Sequence, residues 1–131
     1  MIFDASAIYA LVKSRRLSPL LRGATLDLAL YELGNSIWKD VYVHKMLTLG
    51  EGIELLRVVK RLFALSTVLS VHGEAEALLG LASELGLTFY DAAYLYMARK
   101  LERALVTEDE RLRNVASRHV KMLSVSELIV L

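Results

Sequence analysis

Short apolar runs alternate along this chain with longer stretches in which apolar residues recur every three or four positions. The runs at residues 1–3, 24–28 and 104–106 are short and continuous, which predicts strands buried on both faces. Residues 120–123 form a fourth run of this kind and residues 68–71 a weaker fifth. Helices are predicted between them, at 6 to about 13, 30 to about 47, 52 to about 65, 73–85, 91–103, 108–119 and 124–131. In the third of these, Ile53, Leu56, Val59 and Phe63 keep near-helical spacing. Gly86 reads as a helix terminator, and Ser124 with Glu127 as a capping box. The only proline, Pro19, reads as the first position of a short helix. Strands alternating with helices imply an α/β fold with a parallel sheet covered on both faces. In such sheets ligands bind beyond the C-terminal ends of the strands.

Composition narrows this picture. A length of 131 residues suits one domain spanning 1–131. There is no cysteine, which excludes disulfides and thiolate zinc sites and fits a reducing cytoplasm. Hydrophobic residues make up 55% of the chain, yet no charge-free apolar stretch reaches membrane-spanning length. Asp4 and the lack of a basic start argue against a secretory signal. The apolar excess instead predicts a buried sheet together with a partner or a second copy of the chain. The net charge of +1 carries no sign of nucleic-acid binding, so any such reading must come from local groups.

The acids supply that local signal. Asp4 directly follows the first strand, and Asp109 lies three residues beyond the strand at 104–106. Glu32 falls in the first turn of the helix after the second strand. Asp91 opens a crossover helix, whose N-terminus must lie at the C-terminal edge of the sheet. Four separate segments therefore bring carboxylates to one edge, where their meeting depends on strand order. Carboxylates crowded at pH 7 repel one another unless they take up protons or a cation offsets their charge. Oxygen-only donors favour Mg²⁺ or Mn²⁺, ions suited to phosphodiester hydrolysis. Each acid taken alone also has a plain structural role. Asp4 and Asp91 suit helix N-caps, Thr107 with Glu110 matches a capping box, and Glu32 complements a helix dipole.

The stretches around these acids resemble a known family. FDAS at 3–6, YELGNSIWK at 31–39, TFYDAAYLYMA at 88–98 and LVTEDERL at 105–112 are similar, in this order, to PIN-domain ribonucleases of the VapC toxin type. The resemblance implies a three-layer α/β/α fold with strand order 3-2-1-4-5. It also implies a protruding helical hairpin over residues 35–65. Asp4, Glu32, Asp91 and Asp109 would hold Mg²⁺ or Mn²⁺, supported by Ser6, Asn35 and Thr107. The implied activity is endoribonuclease cleavage, by a homodimer inhibited by an antitoxin protein. In this chain Glu108 and Glu110 flank Asp109, leaving open which oxygen serves there.

Other readings compete. A non-cleaving RNA- or protein-binding scaffold is one. A receiver domain lacks its acidic pair and lysine here, and a phosphatase of the D-x-D type would not read Asp-Ala-Ser at 4–6. Asn35 is expected to support the site, and Lys39 to belong to an ordinary polar face. Lys13, Arg15 and Arg16 read first as a solvated helix end. Trp38, Tyr42, Tyr94 and Tyr96 read as core or interface aromatics, and Tyr90 as the best candidate for stacking on a base. His44, His72 and His119 show no metal-ligand spacing.

Overall fold

A computed structural model describes residues 1–130. β1 (Ile2–Phe3) leads into α1 (Ala5–Ser14) and the short α2 (Ser18–Leu21), which carries Pro19 in its first turn. β2 (Ala24–Leu26) is followed by α3 (Leu28–Trp38), a wide π turn (Lys39–Val43) and α4 (Leu49–Leu65). Next come β3 (Thr67–Leu69), a 3-10 turn (His72–Glu74), α5 (Ala75–Leu85) and α6 (Phe89–Lys100). Then follow β4 (Leu105–Val106), α7 (Glu110–Ala116), β5 (Met122–Leu123) and α8 (Val125–Val130). The expected last helix ended at residue 131, which lies outside the described residues.

The strands form one parallel sheet in the expected order, β3-β2-β1-β4-β5. Ile2 stands opposite Ala24 on one side and Leu105 on the other, and Phe3 opposite Val106. The paired residues of β1, β2, β4 and β5 are almost wholly buried, as short continuous apolar runs require. α6 packs on β1 and β4 and carries α5 on its outer side, while α1 packs against α3, α4 and α8. Helices thus flank the sheet in a three-layer α/β/α arrangement. No helix among the described residues is long and apolar enough to cross a membrane.

The strand order matters for function because β1 and β4 lie side by side. Asp4, one residue past β1, donates its backbone N–H to the Val106 carbonyl at 3.1 Å. Thr107, one residue past β4, is therefore its neighbour. This adjacency is what the sequence pattern by itself left open.

Several boundaries move for identifiable reasons. The continuous helix expected over 30–47 gives way after Trp38. His44 N–H reaches back five residues to the Lys39 carbonyl at 2.8 Å, and the Asp40 carbonyl accepts from both Met46 and Leu47. Lys45 then takes a left-handed backbone, φ 55°, and the chain reverses. The returning helix starts at Leu49, three residues earlier than expected, because Thr48 and Glu51 form a capping box. Gly52 lets that helix approach closely: a Cβ there would lie 2.9 Å from Val41 Cγ2 and 3.2 Å from Ile37 Cγ2. α3 and α4 make the hairpin of the expected 35–65 region, with Trp38, Tyr42, Met46 and Leu49 exposed along it. Gly86 ends α5 as expected, at φ 67°.

Candidate active site

Each acid is set by a local device. Asp4 caps α1, accepting the Ala7 N–H at 2.9 Å. Glu32 lies in the second turn of α3, one turn later than expected, because β2 ends at Leu26 and the helix begins at Leu28. Asp91 sits in the first turn of α6. It does not cap that helix, since Thr88 does, through a 3.1 Å bond from Asp91 N–H. Asp109 caps α7, with Oδ1 accepting from the N–H groups of Arg111 and Leu112. The expected pairing of Thr107 with Glu110 does not form. Thr107 is buried and turned toward Asp4 instead.

All four acids line one pocket of about 600 Å³. Ser6 and Asn35 share its wall, as expected. Lys39, expected on an ordinary polar face, also borders the pocket. Of the three acids in the 108–110 run, only Asp109 reaches the pocket. Glu108 is occupied elsewhere, its Oε1 accepting the Val125 N–H at 2.7 Å.

Asp4 forms the buried base of the site, only 5% exposed. Its Oδ1 accepts from Ser6 Oγ at 2.7 Å and its Oδ2 from the Thr107 hydroxyl. Ser6 and Thr107 in turn accept the Glu108 and Asp109 N–H groups, each at 3.0 Å. Two hydroxyls thus tie the end of β1 to the loop after β4. Burial still pushes the Asp4 carboxyl up to about 6, with Asp91's charge adding, against the pull of those hydrogen bonds.

The other acids feel the same crowding. Burial raises Glu32, and the charges of Asp4 and Asp91 add to it, while a hydrogen bond from Tyr94 works the other way. Burial also raises Asp91, with Asp109's charge adding, opposed by its bond to Thr88 and by Arg111. Repulsion therefore links Asp4, Glu32, Asp91 and Asp109 into one electrostatic unit.

The donor set fits a hard divalent cation. Every donor is a carboxylate or hydroxyl oxygen. Among the described residues one carboxylate oxygen each of Glu32 and Asp109 accepts no hydrogen bond. Among those residues, too, no three acidic, histidine or cysteine side chains are drawn together tightly enough to clasp an ion. The acids ring the pocket rather than converge in it.

Tyr94 was expected in the core or at an interface. It is buried, but its hydroxyl donates to Glu32 Oε1 at 2.8 Å. The available signal was its spacing: three residues after Asp91, it shares that acid's helix face. Trp38 and Tyr42 stack on each other, 5.6 Å between centroids, with both rings largely exposed. Lys13 and Arg15 line a separate, apolar cleft with Met46 and Leu55, and Lys13 lies over the Tyr9 ring.

A parallel sheet in this order, with acids from four segments at one edge, is the ground plan to which the sequence motifs pointed. The model of the PIN domain family matches residues 1–118, and the chain belongs to that family. It is 36% identical over 123 residues to Ribonuclease VapC3 of Pyrobaculum aerophilum, covering 86% of this chain and 91% of that one. It is 34% identical over 113 residues to Exonuclease VapC9 of the same organism, covering 85% and 81%. The crystal structure of PAE2754, also from Pyrobaculum aerophilum, superposes with a TM-score of 0.77 at 32% identity. That match covers 98% of this chain and 92% of the other.

Proposed function

We propose that this chain is a divalent-metal-dependent endoribonuclease that hydrolyses RNA phosphodiester bonds. Asp4, Glu32, Asp91 and Asp109 hold Mg²⁺ or Mn²⁺, and Ser6, Asn35 and Thr107 support them. One observation carries the reading: acids from four segments line a single pocket, where burial and neighbouring carboxylates raise Asp4, Glu32 and Asp91. Relatives named as a ribonuclease and an exonuclease add the substrate class.

When bound, the ion offsets the carboxylate charge and supplies the acidity that lets water attack a phosphorus centre. The chain's residues prepare for this. Ser6 and Thr107 keep the buried Asp4 carboxylate fixed. Tyr94 orients Glu32 through one oxygen and leaves the other to the pocket. Asp91 presents a carboxylate that no capping bond consumes. Asp109 uses Oδ1 for its helix and keeps Oδ2. Lys39 places a positive charge on the wall, suited to a phosphate oxygen.

The biological reading is a cytoplasmic toxin with an antitoxin partner, built as one domain and working as a homodimer. The exposed Trp38, Tyr42, Met46 and Leu49 supply apolar surface for such contacts. Light scattering on purified protein tests the dimer.

The deciding experiment uses a circular single-stranded RNA, which an exonuclease cannot attack. Linearisation in Mg²⁺ or Mn²⁺, stopped by EDTA and lost in folded Asp4→Asn and Asp91→Asn variants, is expected. Cleavage of linear RNA only, from an end, would make the enzyme an exonuclease. RNA binding without cleavage in any divalent metal would favour the non-cleaving scaffold.

A further inference from the structure

Two tyrosines stand at the mouth of the acidic pocket on different helices. Tyr31 on α3 immediately precedes Glu32, and Tyr90 on α6 immediately precedes Asp91. Both line the pocket, and they are 80% and 58% exposed. Among the described residues neither ring pairs with another aromatic ring and neither hydroxyl makes a hydrogen bond. A single exposed tyrosine needs no explanation. Two unpartnered rings on one charged pocket do, because each leaves a large apolar face in water beside carboxylates.

The charge of the pocket says what those faces are for. Four of its residues are acids, and Lys39 is the one cation among those lining it. Once a cation offsets those acids, Lys39 is left as the one side chain lining the pocket that can pair with a phosphate, and the tyrosines are its only aromatic faces among the described residues. The bases are uncharged, and every base offers a flat face that stacks on an aromatic ring whatever its identity.

We propose that Tyr31 and Tyr90 are stacking platforms for RNA bases next to the cleaved phosphodiester, the two rings on which this site holds an unpaired strand. This rests on the ribonuclease reading. In an A-form duplex the bases are stacked on one another and their faces are not available to side chains. Only single strands, loops and ends can spread a base onto each ring.

The test is fluorescence anisotropy with a labelled 12-nucleotide RNA, single-stranded or annealed to its complement, in Ca²⁺ in place of Mg²⁺. Tyr31→Ala and Tyr90→Ala should each weaken single-strand binding roughly 5- to 100-fold, the range of one base–aromatic stack. Tyr31→Phe and Tyr90→Phe should restore it, since the ring and not the hydroxyl is used. Mn²⁺ affinity by calorimetry should match wild type in all four variants, and the duplex should bind at least about tenfold more weakly. Wild-type affinity in both alanine variants, phenylalanine variants as weak as alanine, or equal binding of duplex overturns the proposal. Failure of wild type to cut or bind any RNA overturns the ribonuclease reading as well. Normal wild-type cleavage with unaffected alanine variants overturns the stacking role alone.

Discussion

The Tyr94 hydroxyl donates a 2.8 Å hydrogen bond to Glu32 Oε1, joining α6 to α3 across 62 positions of sequence. It is the one hydrogen bond that Glu32 accepts among the described residues. Both carboxylate oxygens are thereby accounted for: one held by Tyr94, the other open to the pocket. Tyr94→Phe keeps the ring in its buried slot and deletes only the bond. Loss of one hydrogen bond to a charged group costs roughly 1.5–3 kcal/mol, at the lower end here because Glu32 is only half-buried and water can replace the donor. Mn²⁺ affinity by calorimetry should fall about 10- to 100-fold, as when a group behind a metal ligand is removed. Unchanged affinity would show that Tyr94 does not orient Glu32.

Burial of Asp4 makes a prediction about the metal-free protein. Its carboxyl is raised from 3.8 to about 6, by burial first and by Asp91's charge in addition. The folded state therefore holds this proton more tightly than the unfolded state. Its stabilising effect is complete below about pH 4 and is lost as pH rises through about 6. In EDTA, the contribution of Asp4 should weaken on going from pH 5 to pH 8 by about 1.5 kcal/mol, roughly half of what a two-unit shift is worth, the rest being lost already below pH 5. Asp4→Asn should flatten this dependence and unfold later than wild type in urea at pH 8. Adding Mg²⁺ should reverse the order of the two proteins, because only the ionised wild type gains from the cation.

Thr107 is a sharper probe than the acids, since it carries no charge. Its hydroxyl donates to Asp4 Oδ2 and accepts the Asp109 N–H at 3.0 Å. Thr107→Val has the same shape but strands both partners. The expected loss is about 1–3 kcal/mol in urea unfolding, with cleavage falling more than tenfold. Thr107→Ser should keep most of both, since it retains the hydroxyl.

How far the sequence reached is clearest at particular residues. The strands at Ile2–Phe3 and Leu105–Val106 were legible because full burial on two faces demands continuous apolar runs. Asp4 and Asp109 followed from them by chain direction, and Asp91 from the crossover helix that leads into the second of these strands. The neighbouring of β1 and β4 was not legible from pattern, since hydrophobic periodicity reports burial and not partners. It came through the family resemblance. Helix ends went wrong where side chains decided them. Thr88 and Thr48 took the capping positions, and their T-x-x-D and T-x-x-E spacings were there to be read. The π turn at Lys39–Val43 had no sharp local signal, since neither Gly nor Pro marks it.

Two of the hairpin's glycines separate packing from propensity. Gly34 and Gly52 both lie inside helices, α3 and α4, and both would gain helix propensity on change to Ala, about 0.5–1 kcal/mol each. A Cβ at Gly34 would meet nothing within 4 Å, so Gly34→Ala should realise that gain and raise the urea midpoint. A Cβ at Gly52 would lie 2.9 Å from Val41 Cγ2 and 3.2 Å from Ile37 Cγ2. Overpacking of that kind costs about 1–3 kcal/mol, more than the propensity gain, so Gly52→Ala should lower the midpoint. The same contact would push α4 away from α3, the helix that carries Glu32 and Asn35 on the pocket wall. Gly52→Ala should therefore also reduce RNA cleavage under conditions where it is fully folded, whereas Gly34→Ala should leave it unchanged. A Gly52→Ala protein as stable and active as wild type would show that the hairpin absorbs the methyl group without moving the site.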